Sequence, residues 1–298
     1  MFDEQWAARA AVSEPSAADR ARRARRARRH ERRQRYARLV RRTFLWGVVF
    51  ALGAGAVVWY VEEDPAGAGD DPRAAARADA GDRPSLRAAG EDRVLNAVPI
   101  VAGERRFELL DTWRSSPGRP ITYDPCRPVD VVVNPHLAPA TFAPIVERTL
   151  ATASEASGIA FRVESIAADE PPSMPRSPFQ PERYGDRWSP VLIAWTTPDV
   201  VPDLVGTVAG VGGSTWVESD VHGAWNVSGA VVLDAAQLAG DRTATEAVLL
   251  HELGHVLGLA HTADPDQLMH RSSTQHTLND GDRAGFATVG SGDCAPPL

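Results

Sequence analysis

The eleven residues His251-Glu252-Leu253-Gly254-His255-Val256-Leu257-Gly258-Leu259-Ala260-His261 constrain this chain more than any other stretch. On an α-helix, side chains four positions apart stand nearly above one another, about 6 Å along the axis, so His251 and His255 can share one ion. Glu252 then lies one residue round, beside the ion instead of on it. A third ligand from the same helical face would crowd the first two. Gly258 suits a left-handed helix end, after which the chain can turn His261 back toward the ion. Three protein ligands leave a fourth tetrahedral position open, which separates a catalytic zinc site from a closed structural one. Glu252 is placed to act as a base on a water there. With five residues fixed, the pattern is too specific for an amphipathic helix that happens to carry histidines.

Signals around the motif agree with it. Thr243 followed by Glu246 reads as a capping box opening the helix, with Ala247, Leu250, Gly254 and Leu257 as its buried face. Asp266-Gln267-Leu268-Met269 places a methionine eight residues after His261. Further on, Leu278-Asn279-Asp280-Gly281-Asp282 reads as the start of a C-terminal helix, with Asn279 as N-cap and Asp282 in the first turn.

The run His-Glu-x-x-His-x-x-Gly-x-x-His with a methionine-containing turn resembles the metzincin metalloendopeptidases, and the Leu268-Met269 pair and its spacing resemble the matrixin branch. The resemblance covers residues 251 to about 290. It implies a peptidase in which His251, His255 and His261 hold one Zn2+, and Glu252 serves as general base on the zinc-bound water. Met269 would form the hydrophobic floor beneath the metal. It also implies that a strand near 212–216 is the antiparallel edge that pairs with an extended substrate. Two features depart from the matrixin pattern. Thr262 stands where typical matrixins have serine, and no second histidine cluster accompanies the first. His136 and His222 are isolated and read as loop residues, while His270 and His276 flank the methionine turn and read as surface. One zinc is assigned, and Ca2+ is left unassigned.

Upstream, the fold is read from pattern. Residues 105–298 are long enough for one sizeable core. The apolar run 129–134, bounded by Pro128 and Pro135, reads as a buried strand. Phe142, Ile145, Val146, Thr149 and Leu150 recur at helical spacing before Gly158. Strands follow at 159–165, 191–195, 208–217 and 229–234, and the six prolines of 167–190 make that segment a long loop. This order predicts an α/β (α+β) metzincin-like domain. Its parts are a mixed, mostly parallel twisted sheet with an antiparallel edge strand, an active-site helix, a Met-turn and a C-terminal helix.

The remaining sequence bears on location. Residues 1–42 hold 14 arginines against 5 acidic groups, whereas the rest of the chain is acidic; there is no lysine, a bias that points to a GC-rich bacterial genome. Residues 43–61 carry no charge, span close to the roughly 30 Å hydrocarbon core of a bilayer, and have Trp46, Trp59 and Tyr60 near the ends. The arginines before this run and Glu62-Glu63-Asp64 after it orient the N-terminus into the cytoplasm. A cleaved leader with Ala66-Gly67-Ala68 as its cleavage site is the rival; the length of the run favours an uncleaved anchor. The arginines read as a topology determinant on anionic lipid rather than a nucleic-acid contact, because no aromatic platform accompanies them.

The expected organisation is therefore an Arg-rich cytoplasmic segment (1–42), a transmembrane helix (43–61), a flexible linker poor in large apolar residues (62–104) and an extracytoplasmic peptidase domain (105–298). Cys126 and Cys294 are the only cysteines, and a disulfide joining the ends of that domain is the natural reading. The rival is a thiol latch on the zinc, which Asp124-Pro125-Cys126-Arg127-Pro128 resembles only in part. Three activities fit the motif: an endopeptidase acting on protein or peptide, a zinc-bound binding module without turnover, and a zinc amidase acting on cell-wall amides.

Overall fold

The apolar runs 129–134, 191–196 and 229–234 become strands buried on both faces. In a computed structural model, the described residues are 76–77, 84, 92–100, 104, 106–114, 116–219 and 223–296, all within the second of two units, Trp59–Leu298. The strands in chain order are β1 (Ala76–Arg77), β2 (Glu108–Leu109), β3 (Thr112–Trp113), β4 (Ser116–Pro120), β5 (Val129–Asn134), β6 (Phe161–Ile166), β7 (Val191–Thr196), β8 (Gly210–Ser219), β9 (Gly223–Asp234) and β10 (Leu259–Ala260). The helices are α1 (Phe142–Ser157), α2 (Pro181–Tyr184), α3 (Arg242–Leu257) and α4 (Asp280–Val289).

The main sheet has the order β6-β5-β7-β9-β8-β1. Strands β6, β5, β7 and β9 run parallel, and β8 is antiparallel to β9. This is the mixed, mostly parallel sheet that the sequence predicts, except that the antiparallel strand β8 is not the outermost one: Ala76–Arg77 pairs beside it. Alternation along the strands divides the core in two. Val131, Val133, Ile193, Trp195, Val231 and Leu233 pack against α1, α3 and α4. On the other face, Val132, Leu192, Ala194, Ala230 and Val232 are covered by Val201 and Leu204 of the β7–β8 connection. Helix α1 buries Ile145, Val146, Thr149, Leu150 and Ala153, and ends at Gly158, whose φ of 73° is left-handed.

Several details differ from the sequence reading. The β8–β9 hairpin is longer than 208–217 and 229–234 suggest, because a register shift at Thr215/Trp216 lets the pairing continue to Ser219↔Gly223. The distal end is held by tertiary contact: Trp113 packs edge-on to Trp225, with centroids 5.6 Å apart, and occupies the space a side chain at Gly223 would need. Segment 167–190 is a tied loop that includes α2. Its Glu170 and Arg176 form a fully buried ion pair at 2.6 Å, and Tyr184 donates its hydroxyl to Glu170 at 2.7 Å.

Parts of the predicted linker pair with the domain. Arg93 donates to the carbonyls of Gly290 and Gly292, each at 2.7 Å, and Ala76–Arg77 lies parallel to β8 at Thr215 and Trp216. Cys126 and Cys294 are joined across 168 residues, with Cα atoms 5.3 Å apart. Asp124 accepts from the backbone N–H of both Cys126 and Ala295 beside that bond. A thiol latch from Cys126 is excluded by this pairing. The Arg-rich segment 1–42, the predicted membrane helix 43–61, most of the predicted linker and His222 lie outside the described residues. Among the described residues no helix is long and apolar enough to cross a membrane.

Candidate metal centre

Helix α3 brings the first two histidines of the motif onto one side. Its N-cap is Asp241, whose carboxylate accepts from the Ala244 N–H at 2.9 Å, so the predicted box of Thr243 and Glu246 is displaced by two residues. An aspartate immediately before the helix is as good a cap as threonine, and Glu246 is drawn away to Arg148 of α1 and Arg242. The predicted face of Ala247, Leu250, Gly254 and Leu257 is buried, and so are Leu249, Leu253 and Val256. Being packed between the sheet and two other helices, α3 has apolar contacts nearly all round. Gly258 ends it with φ 112°, and its missing side chain makes room for the Ile121 carbonyl, 2.6 Å from where a Cβ would stand.

The turn at Gly258 carries His261 back to the other two. The Nε2 atoms of His251, His255 and His261 form a triangle with all three edges 3.2 Å. His251 Nδ1 faces the Leu268 carbonyl at 2.6 Å, and His255 Nδ1 faces the Leu259 carbonyl at 2.7 Å. A carbonyl can only accept, so both Nδ1 atoms carry the proton and both Nε2 atoms present lone pairs to the centre of the triangle. Converging lone pairs repel unless a cation lies among them. An ion held tetrahedrally at 2.0–2.1 Å by three imidazoles would separate their nitrogens by about 3.3 Å, so the observed edge fits zinc. Among the described residues, this is the group of His, Cys, Asp and Glu side chains able to converge on one ion. His136 and His276 are exposed and His270 is half-buried, and none of them joins it.

Glu252 is 4% exposed and lies against the first residues of β8. A Cβ at Gly210 would stand 2.9 Å from the Glu252 Cγ, and one at Gly212 would stand 2.5 Å from its carbonyl oxygen. The two glycines therefore let the helix approach the strand closely. Pattern predicts the strand itself and resemblance only its role; the close approach to the helix is a further feature, for which the Gly210-Val211-Gly212-Gly213 run is the available sequence signal. Met269 is buried, and its thioether fills the space beside Gly254, a residue that lies between His251 and His255 in the sequence. Its backbone carbonyl accepts from the Thr262 N–H at 3.1 Å, tying the turn to the residue after His261.

Asp282 also belongs to the site, although the sequence marked it only as a first-turn acid. Its carboxylate accepts from the N–H groups of Leu268, Met269 and Asn279 at 2.7, 2.9 and 2.9 Å. Farther out, burial pushes the Tyr123 hydroxyl up from its ordinary pKa, so it stays neutral; it shares a hydrogen bond with Ser214 of β8.

Residues 182–289 match the matrixin family, a stretch that takes in β7, β8, β9, the three histidines, Glu252, Met269 and all of α4. Comparison with curated proteins finds no match. Among solved structures the chain is similar to an archaemetzincin from Methanopyrus kandleri, with 18% identity over 52% of this chain and 84% of that one and a TM-score of 0.29.

Proposed function

We propose that this matrixin-like chain is a zinc-dependent endopeptidase that hydrolyses peptide bonds outside the cytoplasm. The equilateral set of Nε2 atoms, with both helical Nδ1 protons directed to carbonyls, is the observation that carries the reading. When bound by His251, His255 and His261, Zn2+ supplies a Lewis acid that acidifies a coordinated water and polarises a carbonyl. Glu252, adjacent on the helix to His251, takes the proton of the attacking water and passes it to the leaving nitrogen. The buried surroundings of Glu252 keep bulk water from competing for that proton. Ala76–Arg77 covers β8 at Thr215 and Trp216, so the edge on which an extended peptide could pair through its main chain is the stretch Gly210–Ser214, which among the described residues pairs with β9 alone. Gly210 and Gly212 bring that edge against Glu252 without a side chain between them.

The test uses the full chain in detergent with a degradable protein mixture and terminal labelling of the products. New termini sensitive to a chelator are expected, and Glu252→Gln should slow their appearance by roughly 10²- to 10⁴-fold while zinc content is retained. Cleavage by the variant at the wild-type rate overturns the assignment. Zinc and peptide binding without any new termini would favour a binding module, and muropeptide products without protein termini would favour a cell-wall amidase.

The location belongs to the same proposal. A disulfide between Cys126 and Cys294 needs an oxidising compartment, and the Arg-rich block before the apolar run 43–61 favours a cytoplasmic N-terminus. Protease added to intact cells should then degrade the domain; protection until the cells are broken would contradict this placement.

A further inference from the structure

We propose that Asp282 is a positioning residue for the metal ligand His251, acting through the single peptide group between Leu268 and Met269. This rests on the zinc reading above. One end of that peptide group is the Met269 N–H, which donates to Asp282 Oδ1 at 2.9 Å. The other end is the Leu268 carbonyl, which accepts from His251 Nδ1 at 2.6 Å. A trans peptide holds its N–H and C=O antiparallel in one plane, so carboxylate, peptide and imidazole form one line of aligned dipoles.

Charge behind the N–H polarises the peptide and makes its carbonyl a stronger acceptor, as in any hydrogen-bond chain at low dielectric. The stronger acceptor fixes the His251 ring in the tautomer with Nε2 free and raises the basicity of that nitrogen. Metal-binding histidines are commonly supported by a carboxylate in direct contact; here the support is relayed, and no proton moves.

Three observations fit Asp282 to this task. Its side chain is 1% exposed, so the charge is poorly screened. Its second oxygen accepts from Leu268 N–H at 2.7 Å and Asn279 N–H at 2.9 Å, which locks the carboxylate in orientation. Its own N–H donates to Gln267 Oε1 at 3.1 Å, and the bare backbone of Gly281 leaves room for that amide, which would lie 2.7 Å from a Cβ. The molecule also contains its own comparison. His255 Nδ1 donates to the Leu259 carbonyl, whose peptide sits in the two-stranded backbone ladder with Glu108–Leu109 instead of in front of a buried carboxylate acceptor.

The experiment measures zinc affinity by chelator competition for the full chain, its Asp282→Asn variant and a Gln267→Ala variant. Gln267→Ala disturbs the same turn but leaves the relayed peptide and its carboxylate in place. Asp282→Asn should weaken zinc by roughly 10- to 100-fold, and Gln267→Ala by much less. Equal affinity of Asp282→Asn and wild type overturns the proposal, as does equal weakening in both variants. If Asp282→Asn does not fold, ¹⁵N-histidine NMR of the zinc-loaded wild type decides. The His251 Nδ1 proton should resonate downfield of the His255 Nδ1 proton, and coincident or reversed shifts overturn the relay. Failure of the wild type itself to bind zinc would instead overturn the peptidase reading.

Discussion

At the scale of single residues, the centre depends on what is missing as much as on what is present. Gly254 stands between His251 and His255 and leaves the space that the Met269 thioether fills. Gly254→Ala adds a methyl group against the Met269 thioether, which is buried beside Phe286 and can move aside only by repacking its neighbours; overpacking of this kind costs about 1–3 kcal/mol. The variant should lose that much stability in urea denaturation and bind zinc more weakly, because Leu268, the carbonyl partner of His251, is displaced with Met269. Unchanged stability would mean that the turn is softer than its packing implies. The ligands were legible as residues, since four- and ten-residue offsets are local properties of a helix and its end. Asp282 was not, because a first-turn acid at a helix N-terminus looks the same whether it caps the helix or braces a turn more than ten residues away.

At the scale of elements, the link between α1 and α3 is open to a pH test. Burial pushes the Glu246 carboxyl up, but hydrogen bonds and charge from Arg148 and Arg242 outweigh it and hold the group below its ordinary value of 4.5. With the folded value below the unfolded one, the stability from this pairing is fully present above pH 4.5 and is lost as pH falls through the lowered value. The pair is partly exposed, so Glu246→Gln should cost only about 0.5–1 kcal/mol at neutral pH. Urea titrations should show the gap between variant and wild type closing in acid; a gap that persists there would rule out the ion-pair account. The same contact explains why the predicted capping box failed. Thr243 and Glu246 have the right spacing, but Asp241 caps first and two arginines, one from a distant helix, claim the glutamate.

At the scale of the whole molecule, the Cys126–Cys294 bond closes a loop of 168 residues around nearly all of the domain. Loop-closure entropy sets a contribution of up to about 5 kcal/mol, with 2–5 kcal/mol typical of native disulfides. Cys126→Ser with Cys294→Ser should lower the denaturation midpoint accordingly while the zinc stoichiometry of the folded fraction stays at one. Loss of zinc binding in protein that remains folded would show that the bond shapes the site as well as the chain.

The sequence by itself marked out the three histidines and Glu252 by their spacing and the central strands by apolar runs that must leave water, and its resemblance to a known family marked out the methionine turn. Tertiary structure alone decided the length of the β8–β9 hairpin, the cap of α3, the pairing of Ala76–Arg77 beside β8, and the carboxylate behind His251. The hairpin extension and the Ala76–Arg77 pairing are made by backbone atoms that every residue possesses, and the α3 cap and the Asp282 brace turn on which of several suitable side chains a distant partner leaves available, so no local pattern announces them.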